Sequence, residues 1–258
     1  MLVQELDDRL RLIRQQDHAQ LSGALAHAWR DRDGEPLPYR LVWATGVHDA
    51  AWTRLDRRPI RDSGSGRPYD FHRLPLSRKL GPYRRGIGRV AELDAYAGLQ
   101  VSRHYCSFLN ADSGDDGVET FLDSERGRRA ELLGRLPRRR RGDALLDREL
   151  EYLKLFDTLS LYVCLTGPGV EPETRPEWLV PSDQVETPSG HRIGLSWRSE
   201  GELILDPAPV VSPELELRIP YRELPACHAS QEELEASWRE AETGHREVRV
   251  RADSRPVP

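Results

Sequence analysis

Residues 142–165, GDALLDRELEYLKLFDTLSLYVCL, carry the longest uninterrupted helical pattern in the chain. Leu146, Leu150, Leu153, Asp157, Ser160 and Cys164 recur at helical spacing and share one stripe. Asp157 therefore falls in the middle of an apolar face. A buried carboxylate without a partner is costly and tends to give up its charge. The fold must bring a partner to Asp157, and a metal ion or a histidine is the natural choice. A salt bridge to a buried arginine is the competing reading.

Other predicted helices offer such partners. Residues 41–52, LVWATGVHDAAW, read as part of a helix from about Pro38 to Trp52, with the proline in its first turn. Leu41, Thr45, His48 and Trp52 share its stripe, with Asp49 at the edge. In the helix His18–Trp29, His18, Leu21, Ser22 and Leu25 point inward. In a third helix, Ala95–Leu109, His104 lies with Ala97 and Val101. A core histidine hydrogen-bonded to a neighbour is the plain alternative for His104. Mixed imidazole and carboxylate donors suit a divalent Mn, Fe, Zn or Mg. The cysteines, Cys106, Cys164 and Cys227, are not at zinc-finger spacing.

The rest of the chain divides by pattern. Residues 2–14 read as two short strands around the acidic turn Asp7-Asp8. Residues 53–94, rich in Gly, Pro and Arg, read as a long irregular loop. Residues 117–134 read as a further helix. After Gly167-Pro168-Gly169, the runs HRIGLSW, ELILD and LELRIPY alternate as strands. SQEELEASWREAE is a short helix with a capping box, and EVRVRA is a last strand. The expected plan is a 1–15 hairpin, a helical domain over 16–168, and a β-rich segment over 169–258 packed on it. The expected fold class is α+β, mainly α.

Charge narrows the ligand. Residues 53–90 hold eleven basic and three acidic residues, whereas residues 171–258 hold eighteen acidic and ten basic. A basic field inside an acidic chain favours a small anionic or phosphorylated substrate over bulk nucleic acid. Arg57, Arg58 and Arg61 follow the His48–Asp49 pair closely. They are the expected substrate-binding clamp, since guanidinium forks bind phosphate bidentately. A solvated arginine-rich surface is the other reading of that segment. No stretch has the length of a membrane span or a secretory signal. With three dispersed cysteines, the expectation is a cytoplasmic protein with no membrane partner. A homodimer is compatible with the composition.

The order His, His-Asp, then a distant Asp, each on its own helix, resembles the HD superfamily of metal-dependent phosphohydrolases. VWATGVHDAAW resembles the helix that carries that family's HD pair, and LKLFDTLSL resembles its closing helix. The resemblance implies an HD-like helical bundle. It also implies a metal held by His18, His48, Asp49 and Asp157. Asp49 and His104 are the expected catalytic groups. The implied activity is hydrolysis of a phosphate ester or nucleotide. His72 and His104 are both candidates for a further ligand. A non-catalytic sensor that binds a metal or an anionic ligand is the alternative. Over most of its length the chain also resembles an uncharacterised bacterial family, domain of unknown function 3891. QQDHAQLSGALAHAW, GVHDAAW, AYAGLQVSRHY and LFDTLSLYVCL carry that likeness, with the strands near LILDPAPV. It implies a domain plan and no activity.

Overall fold

A computed structural model describes residues 1–30, 34–111, 114–176, 178–180, 182–207 and 214–252. Its strands are β1 (Leu2–Glu5), β2 (Arg9–Ile13), β3 (Gln184–Glu186), β4 (Arg192–Ser199), β5 (Glu202–Asp206), β6 (Glu214–Pro225) and β7 (Gly244–Ala252). Its helices are α1 (Gln15–Ala28), α2 (Tyr39–Gly46), α3 (Leu76–Leu93), α4 (Ala95–Cys106), α5 (Asp116–Arg135), α6 (Asp143–Leu165) and α7 (Gln231–Glu240).

The expected mainly helical, HD-like bundle is corrected here. The N-terminal hairpin and the C-terminal strands are one seven-stranded sheet, in the order β1-β2-β6-β7-β5-β4-β3. The long strand β6 joins the two halves. Its residues Glu214–Tyr221 pair antiparallel with β7, and Arg222–Pro225 pair antiparallel with β2. β5 and β7 run parallel, so the sheet is mixed. The architecture is mixed α/β, with seven helices set against this seven-stranded sheet.

Alternation fixes which faces are covered. Leu2 pairs with Ile13 and, with Leu217, Ile219, Val248 and Val250, faces a core shared with α1 and α6. Leu10 and Leu12 lie one step out of phase with Ile13, so they face the opposite side. There Leu224, Leu234 and Trp238 cover them, the last two from α7. The α7 N-terminus is capped by the Ser230 side chain, which accepts from the Glu233 amide at 3.2 Å. A second core lies among α3, α4 and α5, built on Ile87, Val101 and Phe121.

The 53–94 segment is not a loop throughout, because α3 runs through it despite Pro82. Its Gly86 is a contact residue. A Cβ there would come within 2.3 Å of the Ala51 Cα, so glycine alone allows α3 to seat on the turn at Ala50–Arg54. The expected helix Pro38–Trp52 is also interrupted. α2 ends at Gly46, and a separate 3₁₀ turn begins at Ala50. Between them Val47 (φ −118°, ψ 8°) and Asp49 (φ −98°, ψ 22°) occupy the sparsely populated bridge region. His48 and Asp49 lie in this break. All three cysteines are free thiols. Among the described residues, no helix is long and apolar enough to cross a membrane.

Candidate metal centre

The break after α2 has a direct chemical result. Adjacent residues of a continuous helix point about 100° apart. With the helix interrupted, His48 and Asp49 reach the same point. His18 arrives from α1, His104 from α4 and Asp157 from α6. His48 Nε2 lies 3.3 Å from Asp157 Oδ1 and 3.7 Å from Asp49 Oδ2. His18 Nε2 lies 2.8 Å from Asp49 Oδ2 and 3.8 Å from Asp157 Oδ1. His104 Nε2 lies 3.6 Å from Asp157 Oδ2. The His18–His48 and His48–His104 rings meet edge-on, with centroids 5.1 and 5.0 Å apart.

Among the described residues, two sets of donor atoms could hold a metal ion: His18, His48 and Asp49, and His48, His104 and Asp157. Within each set the donor atoms lie within 4.8 Å of one another. His48 belongs to both.

Tautomers decide what these rings offer. His48 Nδ1 lies 2.7 Å from the Thr45 carbonyl, which can only accept, so Nδ1 carries a proton. The neutral ring then turns a bare Nε2 toward two carboxylates, and that atom has no hydrogen-bond partner. His18 is held from behind: its Nδ1 lies 2.9 Å from Ser160 Oγ, which also lies 2.9 Å from the Asp157 carbonyl. His18 Nε2 is thereby aimed at Asp49. A lone pair facing a carboxylate is repulsive unless a cation lies between them. A proton or a metal ion meets that need, and outward-bonded Nδ1 protons are the usual support of metal-ligating histidines.

The charges respond accordingly. Burial pulls the His48 imidazole down, but Asp49 and Asp157 outweigh it and lift it to about 9. Burial pulls His104 down to about 4, so it is neutral. Burial would raise both carboxyls. Facing imidazoles instead hold Asp49 below its ordinary value and Asp157 well below the usual carboxylate range. The remaining Asp49 oxygen, Oδ1, accepts from the buried Tyr105 hydroxyl at 3.0 Å.

The cluster opens on a cavity of about 530 Å³. Its walls include Trp52, Phe71, Tyr83, Phe108 and Trp178, and Lys79 is on its lining. The expected ligands His18, His48, Asp49 and Asp157 and the expected catalytic His104 are thus brought together. His72 is not in the cluster. It stacks on Trp178 at a centroid distance of 5.7 Å, on the cavity wall. Arg57, Arg58 and Arg61 are elsewhere. Arg58 pairs with Glu235, Arg61 donates to the His228 carbonyl, and Arg57 lines a separate pocket. Sequence reasoning missed Tyr105 and Lys79 as members of the site. Ser22 and Ser160 were visible as small hydroxyls on the inward stripes. Their oxygens are 2.7 Å apart behind His18.

The profile of the family described as Protein of unknown function (DUF3891) matches residues 1–226. The chain belongs to that family. The matched span holds every residue of the cluster and six of the seven strands, stopping short of α7 and β7. Comparison with curated proteins and with solved structures gives no match.

Proposed function

We propose that this DUF3891 protein is a divalent-metal-dependent hydrolase of a phosphate ester or nucleotide. One observation carries the reading. His48 commits its Nδ1 proton to a backbone carbonyl, and both His18 and His48 turn their Nε2 atoms toward the carboxylates of Asp49 and Asp157. His18, His48, Asp49 and Asp157 would hold the ion, and the N/O donor set favours Mn, Fe or Zn over Mg. A bound ion supplies a nucleophilic water at neutral pH and polarises a phosphoryl oxygen.

The chain's own groups do the remaining work. Tyr105 donates to Asp49 and fixes that carboxylate against His18. His104 is neutral, with no partner on Nδ1, and faces the same cavity, so it is available to accept or return a proton. Lys79 takes the role first expected of Arg57, Arg58 and Arg61, because it lines the cavity that holds the cluster, where its ammonium donates to the His72 carbonyl at 3.2 Å. The aromatic walls suit a flat or apolar leaving group.

Those same walls favour a second reading, a sensor that binds a ligand and turns nothing over. Metal analysis of the purified protein, with a phosphate-ester and nucleotide panel, separates the two. Bound divalent metal and turnover are expected, both lost in His48→Asn and Asp157→Asn. Metal affinity in those variants should fall by at least about 10–100-fold, since even second-layer changes cost that much. No metal after soaking with Mn, Fe, Zn and Mg would overturn the hydrolase reading. Metal without turnover would leave the sensor.

A further inference from the structure

A second pocket, of about 370 Å³, lies away from the metal cluster, where the start of α1, the β2–β6 face and α7 meet. Four arginines line it: Arg14, Arg57, Arg222 and Arg239. Its two lining carboxylates, Asp17 and Asp56, are already taken. Arg14 binds Asp17 through two hydrogen bonds of 2.7 and 2.8 Å. The Met1 ammonium pairs with Asp56 at 2.8 Å, and both groups are buried. The nearby Glu235 is held by Arg58, with both carboxylate oxygens at 2.9 Å.

Three guanidinium groups are left without a carboxylate of their own. Arg222 donates to the Trp238 carbonyl and lies over the Trp238 ring at 4.8 Å. Arg239 donates through Nε to the Glu235 carbonyl, leaving its outer nitrogens free of hydrogen-bond partners among the described residues. Arg57 has no hydrogen-bond or ion-pair partner among the described residues. Two of the three are therefore held by backbone contacts and one is free to fold onto a ligand.

We propose that this pocket binds the phosphate group of a small phosphorylated molecule, independently of the metal centre. Three guanidinium groups in one concavity, none with an ion pair of its own among the described residues, match a dianion better than a single carboxylate. The planar guanidinium fork also fits phosphate oxygens in pairs. The volume leaves room for an organic body beyond the phosphate. Leu12 and Trp238 supply a buried apolar floor for it. The site does not depend on the hydrolase reading, because none of its lining residues belongs to the cluster.

Inorganic phosphate is the probe, titrated into the full-length protein with thermal unfolding and calorimetry as readouts. Phosphate is expected to raise the unfolding midpoint, and acetate at equal ionic strength is not. The double variant Arg57→Ala/Arg239→Ala should weaken phosphate binding by about tenfold or more. Both positions are exposed, so the fold survives. Arg239→Glu alone should weaken it at least as much as Arg239→Ala. Lys79→Ala and Asp157→Asn should leave the phosphate effect intact. Loss of the effect in either of those, with retention in the double arginine variant, would assign the anion to the metal-centre cavity and overturn the proposal. An acetate effect equal to that of phosphate would reduce it to charge screening and overturn it too.

Discussion

His48 is the residue on which the centre turns. Its Nδ1 is tied to a backbone carbonyl, so its Nε2 is the only atom through which it can answer the carboxylates. Asp49 and Asp157 overcome burial and hold the ring charged up to about 9. In metal-free protein this raised value stabilises the fold in full below the ordinary value near 6.5 and is lost as pH rises through about 9. The depressed Asp49 and Asp157 act in the opposite sense. Their contribution is present above the usual carboxylate range and is lost as pH falls below it. With chelator present, the advantage of the natural protein over His48→Asn should therefore shrink between neutral pH and pH 9 or above. A metal ion must displace the same proton. Metal affinity should rise by up to about tenfold per pH unit until His48 is neutral. Chelator competition at a series of pH values checks this, and a flat profile would contradict it. Asp157 and His48 were legible in the sequence because a polar group in an apolar stripe has few physical explanations. Tyr105 was not, because its ring packs with Tyr83 at 4.2 Å like any core aromatic and only its hydroxyl reveals a second role.

At the scale of elements, the centre depends on a break that propensity does not announce. Residues 38–52 read as one helix by apolar spacing, yet the chain stops helical bonding at Gly46 and resumes as a 3₁₀ turn at Ala50. Tertiary packing decides the matter. Gly23 and Gly46 bring α1 and α2 together so closely that a Cβ on Gly23 would lie 2.9 Å from the Gly46 Cα. Gly86 does the same for α3 and the turn after Asp49. The residues that made 53–94 look irregular, Pro82 and the glycines, thus include the ones that allow a helix to dock there. Gly86→Ala tests this. Its Cβ would meet backbone rather than the tip of a flexible side chain, so α3 must shift. Overpacking of this kind costs about 1–3 kcal/mol. Metal affinity should fall as well, since the displaced turn follows Asp49 directly. Unfolding in urea and chelator competition measure the two effects. A variant unchanged in both would refute the role given to this contact.

At the scale of the molecule, individual strands were legible but their assembly was not. Alternation identified LELRIPY and EVRVRA as strands, because period two is a local property. The pairing of Arg9–Leu12 with Arg222–Pro225 joins segments more than two hundred residues apart, and no local pattern encodes it. The HD-like motif order suggested a helical bundle, but a motif fixes donor atoms rather than the layers behind them. One consequence is that the helical residues should not stand alone. In a chain of residues 1–168, β2 would lose its β6 partner. The core of α1 and α6 would lose Leu217, Ile219, Val248 and Val250, all buried against it. At about 1.5–3 kcal/mol for each side chain, that loss is roughly 6–12 kcal/mol. It is comparable to the whole net stability of a typical domain, about 5–15 kcal/mol. The fragment should therefore lack a cooperative thermal transition and bind no metal, even though every residue of the cluster is present in it. Circular dichroism and metal analysis of the fragment decide the point. A cooperative, metal-binding 1–168 chain would mean that the helices carry the site by themselves and that the sheet is an accessory layer.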